Sequence, residues 1–231
     1  MNWLIGIIPA VWAIWTWAHE REKGRIATRQ QMVALYVYPF LSACEDLQSR
    51  IYNILELNGL RVLRKRYTDG SYADETLYLI VRYFGWVAAM HRYGTHAQDP
   101  EVIRLTEAVH NAFATPQYPL GAFNFFRPEQ KALGKLVMHR FDGQYGVELD
   151  TIPYYTFREQ LSVPPLADSE AVKQTLTALR KATHARNLSG RPRLAEAQNE
   201  LVDLLEYLEA KEGISLFPGK RSKCVISDSK R

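Results

Sequence analysis

Cysteine is scarce in this chain. Cys44 and Cys224 are the only two among 231 residues, too few for a disulfide framework, and no Cys/His spacing suits a zinc site. Phosphate-cradling loops are missing: neither G-x-x-x-x-G-K-[ST] nor G-x-G-x-x-G occurs, which excludes nucleotide binding by those routes. There is no G-x-S-x-G elbow for a serine hydrolase. No alternating apolar and polar residues pair into strands, and no internal repeat recurs, so the pattern predicts an all-α chain. Nor does charge of one sign dominate, since 29 Lys and Arg against 25 Asp and Glu leave a net +4. The basic residues gather in four places: the segment after Glu20, Arg61 to Arg66, Arg180 to Arg193, and the tail with Lys220, Arg221, Lys223, Lys230 and Arg231. They do not mark one recognisable nucleic-acid module.

Hydrophobicity is concentrated at the start. Trp3 to Ala18 carries no charge and holds Trp3, Trp12, Trp15 and Trp17, and His19-Glu20-Arg21-Glu22-Lys23-Gly24-Arg25 follows at once. As a helix, Asn2 to Ala18 covers about 25 Å, against a hydrocarbon core of about 30 Å. Indole rings at both ends suit the headgroup level, and the cations Arg21, Lys23, Arg25 and Arg29 all lie behind the run. The expectation is a short transmembrane or membrane-anchor helix, N-out and C-in, with the rest of the chain cytoplasmic. Three readings compete with it, of which a helix lying flat in the interface wants a charged face that Trp3 to Ala18 lacks. A cleaved signal peptide has a small-residue site at Thr16-Trp17-Ala18 but lacks its leading cation, and a hydrophobic helix of this length can also be buried in the domain.

Residues 1–25 then form the anchor and its basic flank, residues 26–213 an irregular multi-helix bundle, and residues 214–231 a basic flexible tail. Within the bundle, Tyr38-Pro39 predicts a kink or break. Phe40, Cys44, Leu47, Ile51, Ile54 and Leu55 recur at helical spacing, with Asn58-Gly59 as the stop. Asp74 to Arg92 is apolar nearly all round and belongs at the centre. Asp99-Pro100-Glu101 opens a helix to about Ala114. Thr115 to Arg127 is an aromatic loop, and Pro128 starts a helix to about Phe141. Asp142 to Pro153 is turn-rich, and Tyr154 to Leu161 is one short helix. Asp168 or Ser169 caps the next helix, and Leu194, Ala197, Leu201, Leu204 and Leu208 mark the final one, stopped by Gly213.

Few constellations carry chemistry. Glu107 and His110 make an E-x-x-H pair of the kind that di-iron bundles use twice, and no second copy exists here. Arg82 lies within the apolar stretch Thr76 to Met90 and needs a carboxylate or carbonyl partner. Phe123, Phe125 and Phe126 either plug the end of the bundle or face a partner. Cys44 reads as a small core residue, and Cys224, among basic residues of the tail, as an ordinary exposed thiol or, on a weaker signal, an acylation site.

Arg104 and His110 also have the R-x5-H spacing, which resembles the all-helical HEPN-type ribonucleases. That resemblance implies a metal-independent RNA cleavage by the paired Arg104 and His110. Leu105 departs from the family's pattern, which has a polar residue after the arginine.

The leading expectation is a single-pass, membrane-anchored helical bundle that acts by binding, as scaffold, adaptor or regulator of a protein partner, a second copy included. The alternatives are the ribonuclease and a binder of anionic lipid or nucleic acid through Arg61 to Arg66 and the tail, nucleic acid being the less favoured. No catalytic, cofactor-binding or metal-ligating residue is assigned.

Overall fold

The computed structural model describes residues 4–226, apart from the side chains of residues 4–16, 18 and 62–65. The chain begins with α1 (Leu4–Met32), which runs through a π-helical turn (Val33–Val37) into α2 (Tyr38–Leu55). Then come α3 (Gly59–Arg66), α4 (Ser71–Tyr93), α5 (Pro100–Ala114) and α6 (Arg127–Val137). A hairpin of β1 (Met138–Gly143) and β2 (Gly146–Thr151) follows, then α7 (Tyr154–Gln160), α8 (Glu170–Lys181) and α9 (Arg191–Glu212).

The helices form a bundle, with α2 and α5 against α9, and α4 against α2, α6 and α8. One contiguous core runs through it, from Phe40 and Leu47 through Trp86 and Phe113 to Leu201 and Leu208. Helix starts follow from local chemistry. Asp99 accepts hydrogen bonds from the amides of Glu101 and Val102 at 2.9 and 3.5 Å, just ahead of Pro100, and Ser169 Oγ accepts from Val172 N at 3.3 Å. These caps satisfy amides that have no partner inside the helix.

Three expectations are corrected. Among the described residues no helix is long and apolar enough to cross a membrane, so the N-out, C-in single-pass anchor and the localisation drawn from it fail. The physical reason is dilution. The apolar part of α1 runs from Leu4 to Ala18, is interrupted by Gly6 and Pro9, and then continues into His19-Glu20-Arg21-Glu22-Lys23. That leaves about 22 Å of apolar helix for a core of about 30 Å. The rings of Trp3, Trp12 and Trp15 lie outside the described side chains; Trp17 is exposed, with Arg21 over its ring at 5.0 Å.

The all-α class gives way to a mostly helical chain with one two-stranded antiparallel sheet, paired from Met138↔Thr151 to Gly143↔Gly146. Its strands are polar, and the hairpin is closed by its turn: Glu148 Oε1 accepts the amide of Tyr145 at 2.8 Å. Nor is the whole tail loose, since Arg221 and Cys224 are buried against the bundle. Lys230 and Arg231 lie outside the described residues.

At Tyr38-Pro39 the helix passes without a break. The widened turn carries the junction, with the Tyr38 amide bonded to Val33 O, five residues back. The close packing of α4 on α6 rests on two glycines. A Cβ on Gly134 would lie 2.7 Å from Gly85 N, and one on Gly85 would lie 3.0 Å from Gly134 O. This contact sets the spacing of the helices around the cleft described next.

Candidate ligand-binding cleft

The R-x5-H pair is not assembled. Six residues at 100° each place Arg104 and His110 about 120° apart around α5. Arg104 faces solvent, held by Glu101 through two bonds of 2.9 and 2.6 Å. His110 turns inward and stacks on Phe84, with centroids 5.9 Å apart and planes at 19°. Glu107 is taken by the Arg127 guanidinium, which also reaches Asn111 Oδ1 at 2.8 Å. Among the described residues, no group of three or more His, Cys, Asp or Glu could hold a metal ion.

The other candidates resolve into structure. Arg82 finds Asp46 at 2.5 Å. Phe123 and Phe125 are buried, and Phe125 packs against Phe84 and Phe113 at 5.8 and 6.3 Å, so the aromatic loop plugs the bundle. Phe126 alone of the three is exposed. In the Arg61 to Arg66 cluster, Arg61 and Arg66 are exposed, while the side chains between them lie outside the described residues.

What His110 does join is a cleft of about 370 Å³ between α4, α5 and α6. Phe84, Val87, Ala88 and His91 form one stripe of α4 at helical spacing; His110 comes from α5, and Arg127, Gln130 and Lys131 from α6. The floor is apolar, and Lys131 is exposed at the rim.

Hydrogen bonding decides the tautomers of both imidazoles. Gln130 Nε2 donates to His110 O at 3.0 Å and to Phe125 O at 2.7 Å, so its Oε1 can only accept. His110 Nδ1 faces that oxygen and therefore carries the proton, which leaves a lone pair on Nε2. Thr106 Oγ1 commits its own proton to the backbone oxygen of Val102 at 2.8 Å. It must then accept from His91 Nε2 at 3.0 Å, which leaves the lone pair of His91 on Nδ1. Burial drives the pKa of His110 down from 6.5 to about 4, the Gln130 bond opposing it and Arg127 adding to it. Burial also lowers that of His91. Both rings are neutral at pH 7, each with one nitrogen committed and one open.

A larger groove of about 730 Å³ runs along α8 past Leu120, Lys173 and Asn187. Every polar residue in its lining is exposed or half-exposed, so nothing there is pre-oriented as His110 is. No family model matches the chain, and no curated protein or solved structure matches it. The cleft's chemistry stands on its own residues. Neither His91 nor Gln130 stands out in the sequence, because an imidazole fixed by a partner on another helix leaves no linear motif.

Proposed function

We propose that this is a binding protein whose ligand, a small organic anion that also carries a hydrogen-bond donor, sits in the cleft between α4, α5 and α6. One observation supports the reading: two imidazoles line the same cavity, and each is pinned through one nitrogen, which leaves the other uncommitted as an acceptor. The exposed Lys131 supplies charge for the anion, and Phe84, Val87 and Ala88 supply the apolar floor. Small-molecule sites span roughly 300–1,000 Å³ and combine an apolar lining with a few placed polar groups.

Calorimetric titration with 4-hydroxybenzoate tests this, with benzoate lacking the donor and 4-hydroxybenzamide lacking the charge. The complete probe should bind, and each omission should weaken it about tenfold, the worth of one good hydrogen bond. His110→Leu should abolish the preference for the hydroxyl, and Lys131→Ala the preference for the acid. Equal affinity for all three probes, or none below about 10 mM, overturns the proposal.

A second reading, a scaffold for a protein partner, is favoured by α1. Every residue from His19 to Gln30 is exposed, though Arg29 reaches Glu212 of α9 at 3.9 Å, and a helix so little packed is marginal in water. Amide exchange in this stretch should be fast in the isolated chain. Strong protection in a dilute, monomeric sample would remove this reading.

A further inference from the structure

The tail is the place where the chain departs furthest from its composition. Residues 215–220 are exposed, but residues 221–224, in neither helix nor strand, lie against α2 and α9 where the two helices meet. The Arg221 guanidinium is buried between two carboxylates. Its Nε donates to Glu45 Oε2 on α2 at 2.7 Å, and its Nη1 and Nη2 donate to Glu209 Oε2 and Oε1 on α9 at 2.7 and 2.8 Å. The contact with Glu209 is a two-pronged fork, the strongest geometry for this pair. Its side chain is 4% exposed.

Three residues on, Cys224 is buried within the core cluster. Burial, with Glu56 beside it, pushes its thiol up to about 12, so it packs as a small apolar group. Between these anchors the backbone is read by two neighbouring amides of α9. Gln198 Nε2 donates to Ser222 O at 2.9 Å. Asn199 accepts the Cys224 amide at 2.7 Å and returns a bond to Cys224 O at 3.0 Å, while Gln198 Oε1 also accepts that amide at 3.0 Å. Lys223 adds a surface pair with Asp203 at 2.6 Å, of a kind worth little.

Main-chain groups held by fixed partners, with selected side chains entering pockets, are the elements by which domains recognise peptides; here Arg221 and Cys224 enter while Ser222 and Lys223 between them stay exposed. We propose that the junction of α2 and α9 is a peptide-recognition groove for Arg-x-x-Cys segments, filled in cis by residues 221–224 and able to take the same segment from a second copy of the chain. The second copy is the trans occupant because the sequence that fits the groove is the chain's own. The short exposed connection at residues 213–220 joins ligand to receptor and gives the cis segment an effective concentration in the mM range. Trans binding is therefore masked until the cis anchor is released. The site is separate from the cleft of α4, α5 and α6, and either proposal can fail alone.

The test uses full-length chains and a fluorescein-labelled peptide of residues 217–226. Arg221→Ala, which frees the groove, should bind the peptide at least about tenfold more tightly than the wild-type chain does. A peptide with Lys in place of Arg221 should lose about tenfold, because one ammonium cannot reproduce the fork. Cys224→Glu, which releases the other anchor, should behave like Arg221→Ala and covers the case in which the first variant misfolds. A mixture of Arg221→Ala with Glu45→Gln/Glu209→Gln, one with an open groove and the other with an intact tail, should form a one-to-one complex that neither forms alone. Folded release variants that ignore the peptide up to 1 mM, or bind it regardless of Arg221, overturn the site. Peptide binding without the mixed complex overturns the second copy as its occupant.

Discussion

Arg193→Met should destabilise the protein by about 2–5 kcal/mol, the cost of stranding buried carbonyls that a guanidinium now satisfies, and lower Tm by on the order of 10 °C for a chain of this size. Arg193 sits in the first turn of α9, where the helix dipole disfavours a cation. Its service is to the end of α5. Nη1 donates to Ala112 O at 3.1 Å and Nη2 to Thr115 O at 3.1 Å, with Tyr118 O a further acceptor at 3.5 Å. These are the carbonyls that a helix C-terminus leaves without partners, and the residue is 0% exposed, so no water can replace it. Methionine keeps the volume and strands the acceptors, each at about 1–3 kcal/mol. Lysine should recover only part of the loss, because one ammonium does not span the fork of carbonyls. Thermal and urea unfolding of the three proteins checks this. A methionine variant within about 2 °C of wild type would show that α5 ends without Arg193.

Arg193 also shows which parts of the fold could be read in advance. Capped helices could, because Asp99-Pro100 and Ser169 act within one turn and the leucines of α9 repeat on one face. The apolar α4 does pack at the centre, against α2, α6 and α8. The hairpin was hidden because β1 carries His139, Arg140 and Asp142 in no regular alternation, and the alternation Val147-Glu148-Leu149-Asp150 in β2 is too brief to stand out without a matching partner. The turn at Gly143–Gly146, not strand propensity, closes it.

Long-range polar pairs left no trace either. Arg193 and Arg221 both belong to basic clusters, where the simplest reading is a solvated face, yet both are buried by partners far away in sequence. The cleft was invisible for the same reason: His110 drew notice as a partner for Glu107 or Arg104, whereas its partner is Gln130 on another helix. The apolar start misled in the opposite direction. Four tryptophans read as interface anchors, but a fifteen-residue run from Leu4 to Ala18 with Gly6 and Pro9 inside it remains too short and too dilute to span.

The stability of this protein should fall as pH drops from 6.5 to 4, and His110 should account for about 3 kcal/mol of the fall. The sign follows from proton binding. Burial lowers the pKa of His110 from 6.5 to about 4 in the folded state, so between those values the unfolded chain takes up a proton that the folded chain refuses. Stability therefore rises with pH across this window and levels off above it. The drop from 6.5 to about 4, at about 1.4 kcal/mol for each tenfold change in proton affinity, sets the scale. Carboxylates such as Asp99, where burial is outweighed by Lys211 and amide bonds that bring the pKa from 3.8 down to about 2, lose their contribution as pH falls between those two values instead. The difference between wild type and His110→Asn isolates the imidazole, since all other groups are common to both. That difference should shrink by about 3 kcal/mol between pH 7.5 and pH 4, and a difference independent of pH would refute the buried neutral ring. Ligand affinity in wild type should instead hold through most of this window and fall only as pH approaches about 4, where the folded ring takes its proton and the open Nε2 turns from acceptor to donor.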